Sequence, residues 1–203
     1  MGDDMKYISV SYKKYSKLYN LILLSISISI TLGLVLSFCL DKNLINDIYN
    51  YFLDHVNNYN LNTFSNIIYP IIIYIGIFIL SLTLIGSFIP LLVISIENIS
   101  IGLILGIILR IKYLKGLLFG TVYFIITKLL YIILLFYIAI NIYKFIRSFI
   151  DNIKTKQDIS LYNLYSRIIL KILFCILVIT IYNVLLMFVA PYIFNFLKIF
   201  YNI

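Results

Sequence analysis

The chain has 203 residues, of which 63% are hydrophobic and 12% are charged, and it carries a formal net charge of +8. Soluble globular domains are only about half apolar, so a mean hydropathy of +1.07 excludes that class. The charges are clustered, and the uncharged runs between them reach about twenty residues, the length that an α-helix needs to cross a bilayer. The sequence therefore predicts an all-α, polytopic protein of the cell (inner) membrane.

The apolar runs predict about five transmembrane helices, with the N-terminus in the cytoplasm. Residues 1–20 are rich in lysine and tyrosine, which is typical of a segment at the cytoplasmic membrane surface. The predicted spans, in chain order, are 21–40, 66–89, 91–109, 117–140 and 168–197. They leave an outer loop at 41–65 and a basic cytoplasmic loop at 141–167, and the whole chain forms a single membrane domain.

The distribution of Lys and Arg supports this orientation. With five crossings, ten basic residues fall on the cytoplasmic side and five on the outer side, in accordance with the positive-inside rule. The turn at 110–115 contributes three of the outer five and fits the rule least well, so a re-entrant hairpin over 79–128 is the alternative for this part. Apolar residues interleave with the charges of 141–167, which indicates a basic interfacial helix on an anionic leaflet. Membrane lipids are therefore expected partners, and nucleic acid is not.

The outer loop contains one amphipathic helix. Its apolar residues recur at helical spacing, opposite a face of asparagines and aspartates. The stripe has two readings. In the first it lies on the membrane surface or packs on the helix bundle, and in the second it is a docking face for an extracytoplasmic partner. The docking residues on the second reading are Ile45, Ile48, Tyr49, Phe52 and Val56.

Glycine and proline mark the middle of the chain. Gly86 and Pro90 predict a break between the second and third spans, because the residue before a proline disfavours helix. Gly102 and Gly106 are four residues apart, a spacing of small residues that lets another helix approach closely. Gly120, at the start of the fourth span, is a further expected packing position.

Glu97 and Lys128 are the only charged residues well inside the predicted spans. An ionisable group there is costly unless it is paired or reaches water, so both are candidate site residues. Glu97 precedes Arg110 by 13 residues and Lys128 follows Lys115 by 13, which places both at similar depth in an antiparallel hairpin. Three roles remain open: a structural ion pair, independent snorkelling to the interface, or a proton or ion pathway.

The sequence contains no Ser/His/Asp set, no paired catalytic carboxylates, no phosphate loop and no set of metal ligands, and it has a single histidine. The residues themselves therefore offer no catalytic constellation, and no cofactor is expected. A transporter or ABC-type permease subunit is the alternative, and self-association into a homo-oligomer is left open.

Residues 60–200 resemble the stage II sporulation protein M family, in particular its clostridial members. The likeness lies in the run NTFSNIIYPIIIYIGIFILSLTLIGSFIPLLVISIENISIGLILGIIL, followed by GLLFGTVYFI, a basic loop and a last span that ends APYIFNFL. Within these runs it lies in Gly86 and Pro90 closing one span, the Ser-Ile-Gly at 100–102 in the next, and Gly120 opening the one after.

The resemblance implies a non-enzymatic membrane anchor and scaffold in endospore-forming bacteria. Such a protein is expected to assemble with stage II sporulation proteins D and P during engulfment of the forespore. On this reading the partners degrade peptidoglycan, and this chain holds them at the membrane.

Overall fold

The computed structural model describes residues 2–59, 61–62, 64–81, 88–155 and 161–201, and among these it contains helices and turns but no strand. The all-α prediction is therefore confirmed for this part of the chain. The helices are α1 (Gly2–Phe38), α2 (Lys42–Asn57), a π-helical turn (Phe64–Ile68), α3 (Tyr69–Ser81), α4 (Ile89–Thr155) and α5 (Leu161–Tyr201).

Among the described residues, three helices are long and apolar enough to cross a membrane, which is compatible with a membrane-embedded protein. Their apolar segments are Ser16–Phe38, Ile89–Ile150 and Tyr165–Ile199, and a shorter apolar helix covers Ser65–Leu80. The predicted spans 91–109 and 117–140 thus fall within one helical element instead of two. Most of the predicted loop at 141–167 is also helical, because α4 continues to Thr155 and α5 begins at Leu161.

Helix α4 reverses direction at Tyr113. This residue has φ 54° and ψ −147°, outside the helical region, and it is exposed. Its first arm (89–112) and second arm (114–155) run back along each other. A Cβ on Gly120, for example, would lie 3.0 Å from side-chain atoms of both Leu105 and Ile108. The reversal falls within the basic turn that the sequence predicts at 110–115.

Helix α1 packs against the first arm of α4 through glycines on both helices. A Cβ on Gly33 would overlap the backbone of Ile99 and Leu103, and a Cβ on Gly102 would overlap the carbonyl of Ile30. Only hydrogen fits at these two positions, so the backbones touch directly, as in small-xxx-small helix pairs.

Arg110 closes the far end of α1. Its Nη1 donates to the carbonyl oxygens of Ser37, at 2.5 Å, and Leu40, at 3.3 Å, and its guanidinium lies 5.8 Å from the centre of the Phe38 ring. The last carbonyls of a helix lack partners within the helix and attract cations. Arg110 is thus held at the end of α1 by backbone groups. It is one of the three basic residues of the 110–115 turn, the segment that fits the positive-inside rule least well, and this contact gives it a structural role there.

The bundle interior is divided into two apolar layers. The first, which we call the basic-end layer, is built around Ile22, Tyr74, residues 131–146 of α4 and residues 168–179 of α5. The second, the α2-end layer, joins the apolar face of α2 to both arms of α4 near the reversal and to the C-terminal half of α5. Glu97 and Lys128 lie where the two layers meet, since Ile94 and Tyr131 belong to the first layer and Ile101 and Phe124 to the second.

Candidate functional site

Glu97 and Lys128 lie on the two arms of α4 and face each other. Lys128 Nζ is 3.4 Å from Glu97 Oε2, and the Tyr69 hydroxyl of α3 donates to Oε1 over 2.9 Å. The lysine ammonium is also 5.4 Å from the centre of the Tyr131 ring and 5.9 Å from that of Tyr69, within the range of cation–π attraction. The carboxylate therefore receives a positive charge from the second arm of α4 and a hydrogen bond from α3.

Other polar side chains extend this site across the middle of the bundle. The Asn183 amide of α5 donates to the backbone carbonyl of Asn66, whose own amide donates to the Tyr59 carbonyl over 2.8 Å. Asn98 and Thr127, next to the charged pair in sequence, donate to carbonyls four residues back in their own helices. Buried polar groups that satisfy one another in this way can fix helix register, since any slip would leave them unpaired.

A cavity of about 530 Å³ opens beside the ion pair. Glu97 and Lys128 lie in its wall, together with His55 and Tyr51 of α2 and Asn183 of α5. Several aromatic rings complete the lining: Phe52, Tyr59, Tyr69, Tyr123, Phe124 and Tyr131. An apolar and aromatic wall with a few convergent polar groups is the usual character of a small-molecule site.

His55 brings a titratable group from α2 to this cavity. Its Nδ1 is 3.0 Å from Asn62 Nδ2, so with the amide as donor the imidazole is neutral and accepts. Burial, followed by the positive charge of Lys128, lowers the pKa of His55, and Asp54 opposes the shift.

We expect folding stability to fall on acidification because of His55. The unfolded chain takes up a proton below its ordinary pKa of about 6.5, whereas the folded chain resists until the pH reaches its lowered pKa. The stabilisation is complete above about pH 6.5 and is lost between those two values, by at most about 1.4 kcal/mol per pH unit. Thermal unfolding of the detergent-solubilised protein across this range should show the loss. His55→Gln should flatten it, and identical profiles for both proteins would contradict the assignment.

The apolar stripe of α2 faces inward. Ile45, Tyr49, Phe52 and Val56 are buried in the α2-end layer, and Ile48 is partly buried against it. Of the two sequence readings, packing on the bundle therefore describes the structure. The docking prediction for these five residues needs correction, because a partner could reach them only by displacing α2.

The glycine and proline predictions have different outcomes. Gly102 and Gly106 both face α1, where a Cβ on Gly106 would meet the Ser37 side chain, and Gly120 faces the first arm of α4. Pro90 is buried in the first turn of α4, where its missing N–H costs little. Gly86 lies outside the described residues.

Sequence reasoning missed most of the site. It selected Glu97 and Lys128 by charge, but not Tyr69, His55 or Asn183. Tyrosine and asparagine are abundant in this chain, so no single one is conspicuous. The sequence signal that could have identified them is an amide or histidine side chain within an otherwise apolar helix, as Asn183 is within α5.

Comparisons of the chain with protein-family models, with curated proteins and with solved structures found no match.

Proposed function

We propose that this chain is a non-enzymatic anchor and scaffold that crosses the cell membrane five times, with its N-terminus in the cytoplasm. The five crossings would be α1, the π-helical turn with α3, the two arms of α4, and α5. The π-helical turn and α3 together cover 64–81, roughly 25 Å of helix, which a slightly thinned bilayer accommodates.

The position of the basic residues supports this topology. Tyr19 of α1 contacts Phe136 of α4, with ring centres 5.5 Å apart, so Lys17 lies near the bundle end that also carries Lys144 and Arg167. Helix α2 packs in the layer at the other end. Under the positive-inside rule the basic end faces the cytoplasm and α2 faces outward.

The observation that carries the scaffold proposal is the way α2 is mounted. Its apolar face is fixed against α4 and α5, and Lys198 of α5 donates to Asn57 at its C-terminal end. The opposite face is exposed and rich in amides and carboxylates, Asn43, Asn46, Asp47, Asn50 and Asp54, with the exposed side chains of Leu44 and Tyr51 beside them. A rigid polar platform on the outer surface is suited to holding a soluble extracytoplasmic protein. The docking face is thus reassigned from the apolar stripe to this polar platform.

The resemblance to the stage II sporulation protein M family makes the proposal more specific. It points to a complex that remodels peptidoglycan during engulfment, with stage II sporulation proteins D and P as the platform's partners. Support for this step comes from the sequence likeness over residues 60–200 alone.

The test is affinity purification of the tagged protein from gently solubilised sporulating cells. We expect a peptidoglycan hydrolase to co-purify with the wild type and to be lost when Asn46, Asp47 and Asn50 are all replaced by lysine. Lys112→Glu with Lys115→Glu, a charge reversal at the same end of the bundle but outside the polar face of α2, is the matched control and should retain the hydrolase. Retention by the platform variant would contradict the docking face.

A transporter or permease subunit is the second candidate, and the cavity beside Glu97 and Lys128 is the observation that favours it. Recovery of an ATPase in the same purification would support a permease. A Glu97→Leu, Lys128→Leu variant that assembles normally but abolishes uptake of a solute would overturn the scaffold proposal.

A further inference from the structure

The basic end of the bundle contains a second cavity, of about 200 Å³, between the second arm of α4 and the start of α5. Its polar lining is Asn141, Lys144, Ser148, Arg167 and Lys171. We propose that this cavity binds the phosphate group of an anionic phospholipid from the surrounding leaflet. The inference is independent of the proposed scaffold function.

The charge of the lining favours an anion. Three cationic side chains from two helices converge here, and none of the described lining residues carries a carboxylate. The Arg167 guanidinium makes no hydrogen bond or ion pair with the described part of the chain, which leaves its planar donor fork for a ligand. Guanidinium matches two phosphate oxygens at once, and a bound anion would offset the mutual repulsion of the three cations.

Lys171 is positioned for the same ligand. Its Nζ donates to Asn141 Oδ1 over 2.6 Å, and the Asn141 amide nitrogen is itself fixed by the Tyr137 carbonyl at 2.8 Å. An ammonium has three N–H donors, so two remain beyond this bond. The chain of hydrogen bonds from α4 thus holds the lysine at the cavity and leaves donors for phosphate oxygens.

The surroundings of Lys171 indicate a lipid as the source of the phosphate. Lys171 lies six residues inside the apolar segment that begins at Tyr165, about 9 Å along the helix. Its neighbours Leu170, Leu173 and Phe174 are 65%, 55% and 60% exposed, which forms an apolar surface beside the charged group. Acyl chains can lie on that surface while the headgroup reaches the cations, an arrangement that a free phosphate ion would not need.

The test measures binding of short-chain phosphatidylglycerol, short-chain phosphatidylcholine and inorganic phosphate to the full-length protein in neutral detergent, by native mass spectrometry. We expect wild type to prefer phosphatidylglycerol over phosphatidylcholine and to bind inorganic phosphate far more weakly. Arg167→Gln with Lys171→Gln should weaken phosphatidylglycerol binding about fivefold for each charge removed, or about 25-fold together. Lys112→Gln with Lys115→Gln removes the same charge in the turn and should bind like wild type.

Four results would overturn the proposal. Unchanged affinity of the Arg167→Gln, Lys171→Gln variant would show that the cavity is not the site. Equal weakening by the turn variant would show that only net charge matters. Inorganic phosphate binding as tightly as the lipid would assign the site to a soluble anion. If the Arg167→Gln, Lys171→Gln variant fails to fold, Arg167→Lys with Lys171→Arg keeps the charge and should retain the preference for phosphatidylglycerol. Equal binding of the two lipids by the wild type would refute the proposal in any case.

Discussion

Replacing Gly102 by leucine is expected to prevent α1 from docking on α4. A Cβ at this position would overlap the carbonyl oxygen of Ile30 and lie 3.0 Å from its carbonyl carbon and 3.1 Å from its Cα, and these are backbone atoms that cannot rotate away. Insertion into a packed contact commonly costs about 1–3 kcal/mol, and a clash between two helix backbones belongs at or above the upper end. We expect a loss of about 3 kcal/mol or more, enough to open the bundle of a marginally stable protein.

The buried thiol of Cys175 supplies the measurement. Cys175 lies in the basic-end layer and is fully buried, whereas Cys39 is exposed, so a Cys39→Ser background leaves one thiol that reports opening. The temperature at which Cys175 becomes accessible to a thiol-reactive label should be much lower in Gly102→Leu than in the parent.

Gly76→Leu is the matched control for this prediction. Apart from the adjoining backbone of its own helix, no heavy atom of the described residues lies within 4 Å of a Cβ at Gly76, and its labelling curve should stay close to that of the parent. Gly106→Ala should fall between the two, since the Ser37 Oγ can rotate away from the new Cβ, whereas the Ser37 Cβ, 2.7 Å from it, can move only with the backbone of α1. Indistinguishable curves for Gly102→Leu and Gly76→Leu would contradict the close approach.

The same helix pair shows how far the sequence alone reaches. The spacing of Gly102 and Gly106 indicates a close helix contact, but it does not identify α1 or Gly33 as the other side. A small-residue spacing gives the face of one helix, and the partner depends on how all the helices rotate and tilt in the bundle. Hydropathy likewise gives the lengths of the apolar segments but not what surrounds them. A helix face buried in lipid and one buried in protein carry the same apolar residues.

Helix α2 illustrates a second limit. Its periodicity correctly predicts the apolar stripe containing Ile45 and Phe52, but periodicity does not show which part of the protein or of its surroundings covers the stripe. The reversal at Tyr113 brings Phe119 and Tyr123 of α4 next to α2, and Phe52 contacts both rings in edge-on geometry. That long-range pairing turned a candidate docking face into core and left the polar face for a partner.

The ion pair is a third case. The equal distances of Glu97 and Lys128 from the turn predict equal depth, and an antiparallel hairpin then allows contact. The second donor to the Glu97 carboxylate, Tyr69, comes from a different helix 28 residues earlier in the chain. Nothing in its local sequence distinguishes it from the other tyrosines.

Lys128→Leu is expected to cost much more stability than Glu97→Leu. Without the lysine, the Glu97 carboxylate keeps only the Tyr69 hydroxyl, and its side chain is only 8% exposed. Removing one member of a buried pair commonly costs about 3–5 kcal/mol, because the other charge is left uncompensated. Without the glutamate, Lys128 is 32% exposed at the cavity wall and can reach water, so its loss should be about half as large or less.

The double variant Glu97→Leu, Lys128→Leu should be more stable than Lys128→Leu alone, because it leaves no unpaired charge in the apolar interior. Cys175 labelling of all four proteins in the Cys39→Ser background closes a double-mutant cycle, and we expect a coupling of at least about 1 kcal/mol. Glu97→Gln separates charge from shape: it keeps the side-chain volume and should resemble Glu97→Leu if the carboxylate charge is what matters. Strictly additive losses of stability would mean that the two residues act independently, as two side chains that each snorkel to the membrane interface would. A larger loss of stability from Glu97→Leu than from Lys128→Leu would mean that the unpaired lysine is the more costly charge. That result would contradict the prediction, which rests on Glu97 being more buried than Lys128.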